Sequence, residues 1–307
     1  MELLTDEDIF RLVTPRLAAQ AMRDAVVAAW RGELTAPPRV SVGLGQSRLV
    51  YTCGAVAGDW FGYRSYVAPG SAGDDQVVVV QDSQSGRLRA LAVGQALGPR
   101  RTGAIGAVAL DALVPHTPEV IALIGCGRQA WYQLWALPER FRHVPVRVFS
   151  PSRAHRSQFA SRARDDLGLD VTAAPSVGVA VDEAAVIVLA TSSATPVLHA
   201  RDIPAGAFVS TLGPKQQGRS EFGRDLTDDA ELVVTDSVEQ IRAYDPPHVL
   251  AGTDVDGSMV HLGAVLTGAH RVPDATRVFC NAGLAGTEAW LLNAAIQSTT
   301  GQPDRTQ

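Results

Sequence analysis

The stretch Val120-Ile121-Ala122-Leu123-Ile124-Gly125-Cys126-Gly127-Arg128-Gln129-Ala130 decides how the rest of the chain reads. An apolar, β-branched run ends at two glycines and opens directly into a helical segment, Gln129 to Leu137. Strand, tight turn and helix in that order make a dinucleotide-binding unit. Gly125 permits the turn, and Gly127 lets the backbone approach a pyrophosphate. Ala130, in the third small position, lets helix and strand pack closely. The phosphates then meet the partly positive end of the helix. Cys126, Arg128 and Gln129 share this turn and are candidate cofactor contacts. Cys126 reads as a small filler rather than a nucleophile, because no histidine pairs with it in the sequence.

Working outward, strands and helices alternate downstream of this unit. Candidate strands are Val120 to Ile124, Val146 to Ser150, Ala185 to Ala190, Ala207 to Leu212, Glu231 to Thr235 and Arg277 to Cys280. Helical segments lie between them, notably Arg153 to Leu167 and Val177 to Ala184. That alternation predicts a doubly wound parallel α/β sheet, a Rossmann dinucleotide-binding domain over residues 115–284. Upstream the pattern differs. Thr14-Pro15 supplies an N-cap with proline at the first helical position, so an Ala-rich helix runs to about Arg31, before Pro37-Pro38. The segments Val40 to Val42, Leu49 to Thr52, Tyr63 to Val67, Val77 to Asp82 and Leu88 to Val93 read as strands, the last two joined through Ser83-Gln84-Ser85-Gly86. Arg100 to Leu113 reads as a helix of small residues. A last helix, Leu284 to Gln297, is expected to return to this second, α+β domain, which comprises residues 1–114 and 285–307. Thr299 to Gln307 reads as a frayed tail.

Bulk properties narrow the function classes. The 307 residues are 46% hydrophobic, enough for sizeable cores, and the net charge of -5 argues against a nucleic-acid footprint. Cys53, Cys126 and Cys280 have no metal-ligand spacing and imply reduced thiols in a cytoplasmic protein. The acidic start, Met1 to Asp8, is unlike a signal peptide, and no apolar run approaches about 18 residues. His248 and His261 stand singly, so no metal is expected and neither histidine is given a role.

The choice of nucleotide follows from what comes after the second strand. An NAD-specific unit places Asp or Glu there to hold the ribose hydroxyls. This chain has Phe149-Ser150-Pro151-Ser152-Arg153, with Arg156 one turn on and no carboxylate to repel a 2′-phosphate. Ser150, Ser152 and Arg153 suit that phosphate, which favours NADP(H) over NAD(H). Ser152 equally suits the cap of the next helix. Thr191 and Ser192 follow the strand Ala185 to Ala190 at the expected switch point of the sheet, and Leu212 ends the next one; all three are candidate cofactor contacts.

These features together resemble the ornithine cyclodeaminase/mu-crystallin family over nearly the whole chain. The matching residues are Pro38-Arg39, Arg101-Thr102, Gly125 to Ala130, Ala190-Thr191-Ser192, Leu212-Gly213 and Gly218-Arg219-Ser220-Glu221. Asp236-Ser237, Glu239-Gln240, Gly283-Leu284-Ala285 and Glu288 complete the set. The resemblance implies a homodimer built through the β-rich domain, a nicotinamide cofactor in the other, and chemistry at the nitrogen-bearing carbon of small amino or imino acids. It also implies that Arg39, Arg64 and Arg101 grip the substrate carboxylate.

Two departures redirect the expected chemistry. Family members usually carry Lys where this chain has Arg64, which keeps an anchoring charge but is a poor proton carrier. Lys215 occupies the place of a catalytic Asp that holds the distal amine of cyclodeaminase substrates. A lysine there repels an ammonium group by on the order of 1–4 kcal/mol. It can instead attract an acidic substrate arm, donate a proton, or be a solvated loop residue. Asn281 and Glu288 stand where family members often have Ser and Asp near the nicotinamide; Glu288 keeps the acid with a longer reach. The expected function is NADPH-dependent reduction of a small imino or keto acid, with Lys215, Arg64 and Glu288 as candidate catalytic residues. The alternatives are a cyclodeaminase with internally recycled NAD, using Glu221 as its acid, and a non-catalytic, crystallin-like NADP-binding protein.

Overall fold

The computed structural model describes residues 2–68 and 75–300. The chain folds as two compact units, one made of the residues up to Ala104 together with those from Leu284 onward, the other Ile105–Gly283. In the first unit seven strands form one sheet: β1 (Glu2–Leu4), β2 (Leu34–Thr35), β3 (Val40–Leu44), β4 (Ser47–Val56), β5 (Trp60–Ala68), β6 (Gln76–Asp82) and β7 (Leu88–Gly94). Their order is β1-β7-β6-β5-β4-β2, with β3 paired to β4. Strands β4 to β7 are antiparallel neighbours, and β1 joins β7 in parallel.

Period-2 alternation sorts this sheet into two unlike faces. Cross-strand register aligns Thr52 with Arg64, Arg64 with Val78 and Val78 with Ala92, all buried. That face packs against the C-terminal helix, Thr287–Thr300, which in turn packs on α2 (Pro15–Trp30). Thr14 caps α2 by accepting the Leu17 N–H at 3.2 Å, and the stripe Ala18, Ala21, Met22, Ala25 and Val26 is buried. Small residues there let the two helices approach. The same logic operates at the sheet. A Cβ on Gly54 would sit 2.7 Å from the Gly286 Cα, and one on Gly62 would sit 2.7 Å from the Ala289 Cβ. These two glycines set how close the C-terminal helix lies. The opposite face carries Val40, Val42, Tyr51, Phe61, Tyr63 and Val67, each between 36% and 60% exposed, so the chain leaves an apolar surface uncovered there.

The chain enters the second unit along α3 (Leu97–Leu113). There β8 (Ile121–Ile124), β9 (Val146–Phe149), β10 (Val171–Ala173), β11 (Val186–Leu189) and β12 (Phe208–Thr211) come first. A two-residue hairpin, β13 (Lys215–Gln216) with β14 (Arg219–Ser220), precedes β15 (Leu232–Thr235), β16 (Val260–His261) and β17 (Arg277–Cys280). The main sheet has eight parallel strands in the order β10-β9-β8-β11-β12-β17-β15-β16. Its central strands β8, β11, β12, β15 and β17 are buried at every residue, as expected of parallel strands covered on both faces. α4 (Arg128–Trp135) follows β8 and α5 (Arg153–Leu167) follows β9. The chain returns past β8 to start β11, so the switch point lies between the ends of β8 and β11, where such sheets bind ligands.

The doubly wound α/β class is therefore present, and the differences from expectation lie at the margins. Six strands escaped the sequence pattern: β1, β2, β10, β13, β14 and β16, each two or three residues long. Helix α1 (Asp6–Leu12) was also missed, although its signal is readable: Thr5 and Asp8 form a capping box, with the Thr5 N–H donating to Asp8 at 3.0 Å. The segment from Val177 is helical only to Val181, and Glu183 takes a positive φ of 60°. The last helix starts at Thr287 rather than Leu284, because Gly283 and Gly286 are left-handed. Thr299 and Thr300 belong to that helix rather than to a tail, and residues 301–307 lie outside the described residues. Replacing Gly54 by Ala should force the C-terminal helix off the sheet and lower stability by about 1–3 kcal/mol, read as a shift in the urea midpoint.

Candidate functional site

In the first unit the close seat of the C-terminal helix brings a carboxylate onto a strand arginine. Arg64, on the covered face of β5, donates from Nη1 to Glu288 Oε1 at 2.6 Å. Arg101, on α3, donates from Nε to the same oxygen at 2.8 Å. Gln76 on β6 accepts from Arg64 Nε at 3.0 Å and Nη2 at 2.6 Å, and the guanidinium lies over the Tyr66 ring, 4.1 Å from its centre. Gly98 leaves room for that guanidinium: a Cβ there would meet Nη2 at 2.9 Å. Arg39 is half-buried at the root of β3.

Glu288 is 1% exposed. Burial alone would push its carboxyl up, but the charges of Arg101 and Arg64 outweigh burial and hold it at about 2. It is thus a fixed anion at working pH and no proton donor. Both guanidinium groups converge on the same Glu288 oxygen.

In the second unit the glycine turn shows why each glycine is there. Gly125 has φ 119°, and a Cβ would lie 2.3 Å from the Ala190 carbonyl oxygen, so the ends of β8 and β11 are too close for any side chain. Gly127 is the reverse: a Cβ would meet nothing within 4 Å. It is the N-cap of α4 with no capping side chain, so the first-turn N–H groups there are held by no cap. That cradle fits a pyrophosphate. Cys126 is buried, and burial pushes its thiol up, with partial relief from a hydrogen bond to Ser150. Ser152 accepts the His155 N–H at 3.3 Å and so caps α5, whose first turn carries no acid. Arg153 is exposed at that helix start. Arg156 donates to the carbonyls of Ser150, at 2.9 Å, and Pro151, at 3.2 Å, and so stiffens the turn between β9 and α5.

Two buried acids organise the remaining loops at the carboxyl edge of the sheet. Glu221 accepts from the Thr191 N–H at 2.9 Å, the Thr191 hydroxyl at 2.8 Å, the Leu212 N–H at 2.9 Å and the Gly213 N–H. It ties the loop after β11 to the loop after β12; Ser192 in the former is exposed. Asp236 accepts from the Ala282 N–H at 2.6 Å and the Gly283 N–H at 2.9 Å, fixing the loop after β17. Lys215, 4% exposed, sits between these anchored loops and donates from Nζ to the carbonyls of Leu212, at 3.1 Å, and Asn281, at 2.9 Å. It is no solvated loop residue.

The sequence pattern did not reveal Gln76, Gly98 or Asp236 as supports. Of these, only Asp236 had a signal, its place among the residues that carry the family resemblance. Acid titration tests the Glu288 cluster. A carboxyl depressed in the folded state adds stability above its ordinary value of 4.5, and that stability is lost as pH falls through about 2. Wild-type protein should lose stability across this window. Glu288→Gln should lack that part of the loss and start about 3–5 kcal/mol lower at neutral pH, measured by urea unfolding across a pH series.

Three comparisons place these features among known proteins. Mouse (Mus musculus) ketimine reductase mu-crystallin is 30% identical over 209 residues; the match covers 68% of this chain and spans 64% of the length of that relative. The iminosuccinate reductase of Paracoccus denitrificans is 25% identical over 284 residues, covering 87% of this chain and 86% of its own. The crystal structure of that reductase in complex with NAD+ shares the fold, with a TM-score of 0.87, 24% identity, and coverage of 98% of this chain and 97% of the other. The family model for ornithine cyclodeaminase/mu-crystallin matches residues 63–292, which include the glycine turn, Arg64, Arg101, Lys215 and Glu288. The chain belongs to the ornithine cyclodeaminase/mu-crystallin family.

Proposed function

We propose that this protein is an NADPH-dependent reductase of a small imino or keto acid, with C=N reduction the chemistry its residues suit best. The observation that carries this reading is the Arg64–Glu288–Arg101 cluster, which gathers two guanidinium groups on one strand-and-helix face of the first unit. Arg39, Arg64 and Arg101 take the substrate acid through charge-assisted hydrogen bonds. Gly125 to Ala130 hold the cofactor pyrophosphate, with Cys126, Arg128 and Gln129 in the same turn. Ser150, Ser152 and Arg153 take the 2′-phosphate, while Thr191, Ser192 and Leu212 lie at the switch point. The reduced nicotinamide, when bound, supplies a hydride.

The available proton donors favour an imine. A protonated C=N already carries the proton its nitrogen needs and becomes an amine on accepting hydride, whereas a ketone requires an acid to neutralise the developing alkoxide. Glu288 is held ionised and arginine does not release a proton, so neither serves as that acid. Relatives named ketimine reductase and iminosuccinate reductase support the same direction. The cyclodeaminase alternative needs a free carboxylate near the bound amine, and both oxygens of Glu221 are engaged by loop donors. We also infer a homodimer formed through the uncovered face of the first sheet, where Phe61, Tyr63 and Val67 are exposed. No helix among the described residues is long and apolar enough to cross a membrane.

Purified protein mixed with NADPH and a panel of cyclic imino acids, or 2-oxo acids with amines, should consume NADPH. Nucleotide binding with no turnover across the panel would instead favour a ligand-binding, crystallin-like role. Ser152→Asp should reverse the nucleotide preference toward NADH by about tenfold or more, measured as the ratio of kcat/KM values. Tyr63→Glu should shift the sedimentation coefficient from dimer to monomer, because it places charge on the apolar face.

A further inference from the structure

The segment that opens the chain grips the start of α3 at two points. The segment itself is firmly seated: β1 pairs with β7, and Leu4, Ile9 and Val13 are each 3% exposed or less. From that seat Asp6, the first residue of α1, reaches the corner between β7 and α3. One of its carboxylate oxygens accepts the Gln95 N–H at 2.9 Å and the Ala96 N–H at 2.8 Å, and the other accepts the Gln95 N–H at 3.0 Å. Gly94 makes this approach possible: its φ is 138°, and a Cβ there would overlap the Asp6 carboxylate.

The far end of α1 supplies the second hold. Val13, its C-cap, accepts from Arg100 Nη1 at its carbonyl, and the buried Arg100 guanidinium lies over the Phe10 ring, 4.8 Å from its centre. Asp6 and Val13 stand at the two ends of α1, and the residues they hold, Gln95, Ala96 and Arg100, stand on either side of the first turn of α3. Each bond in this clamp has one ionised partner, a carboxylate meeting backbone N–H groups or a guanidinium meeting a carbonyl. Such bonds are roughly twice as strong as neutral ones.

Arg101 is the next residue along. Successive side chains on a helix diverge by about 100°, so Arg100 turns to α1 while Arg101 turns to Glu288 on the C-terminal helix. The Arg101 bond runs through Nε, at 2.8 Å. Nε carries a single hydrogen, fixed in the guanidinium plane at the end nearest the backbone, so it follows the helix rather than the acid. Moving the turn by about 1 Å takes the pair outside hydrogen-bond range.

We propose that Asp6 and Arg100 are positioning residues: the clamp they form between α1 and α3 fixes Arg101 on Glu288, and through Arg101 it sets the grip on the substrate acid. The last step rests on the reductase reading; the hold on Arg101 does not. Both residues act through the backbone of α3.

Hydrogen exchange at arginine Nε–H groups tests the clamp in the full chain labelled with 15N-arginine. The Arg101 and Arg64 signals are assigned by their loss in Arg101→Lys and Arg64→Lys. Asp6→Ala and Arg100→Met should each speed exchange at Arg101 Nε by about tenfold or more. Exchange at Arg64 Nε, which donates to Gln76 within the same unit, should change by less than about twofold. Asp6→Asn keeps an acceptor oxygen for the two N–H groups and should restore most of the protection. With an imino acid that turns over, Asp6→Ala should raise KM about tenfold and leave kcat within about threefold. Unchanged exchange at Arg101, equal acceleration of both signals, no rescue by Asp6→Asn, or an unchanged KM would overturn the proposal. Should Asp6→Ala not fold, Arg100→Met decides on the same signals and the same KM. If Arg101 alone loosens while no imino acid consumes NADPH, the clamp stands and the reductase reading falls; if imino acids turn over while the two signals move together or not at all, the reverse.

Discussion

A carboxylate held between two guanidinium groups is the constraint on which the first unit turns. Glu288 reaches Arg64 and Arg101 only because Gly54 and Gly62 let the C-terminal helix lie against the sheet, and Gly98 leaves space for the Arg64 fork. Removing the acid would leave two close cations in mutual repulsion, and removing either arginine would leave the acid underpaired. The cluster is therefore a packing requirement.

The second unit solves a similar problem by a different route. Parallel strands leave their loops at one edge, and loops there must be rigid to orient a ligand. Glu221 and Asp236 supply that rigidity by accepting backbone N–H groups from segments far apart in sequence. A buried carboxylate meeting several N–H donors is well satisfied, and it fixes loop geometry without adding charge to solvent. Between those anchors a lysine is held by carbonyls alone. Acids thus stabilise the frame of the second unit.

Much of this was legible in the residues. Val120 to Ala130 named the strand, turn and helix, and the long β and α segments followed from their periodicity. The short edge strands β10 and β16 were not, since two or three residues carry no period. The candidate site was legible by residue type, not by partner. Nothing local announces that Arg64 meets a carboxylate 224 positions later. Gln76 lay just outside the strand read as Val77 to Asp82, and whether Lys215 faced solvent depended on a hairpin too short for the pattern to show.

The division of the chain bears on how the protein is made. The first unit is assembled from the residues up to Ala104 and those from Leu284 onward, with the whole second unit intervening. During synthesis the sheet that carries Arg64 emerges early, and its covering helix with Glu288 emerges only after the second unit is complete. The nascent sheet therefore waits with one apolar face open and its arginines lacking their counter-ion. Domains tend to fold as units as they emerge, and exposed apolar surface invites misassociation. The second unit is free to fold on its own schedule, while the first is closed last, by a single helix.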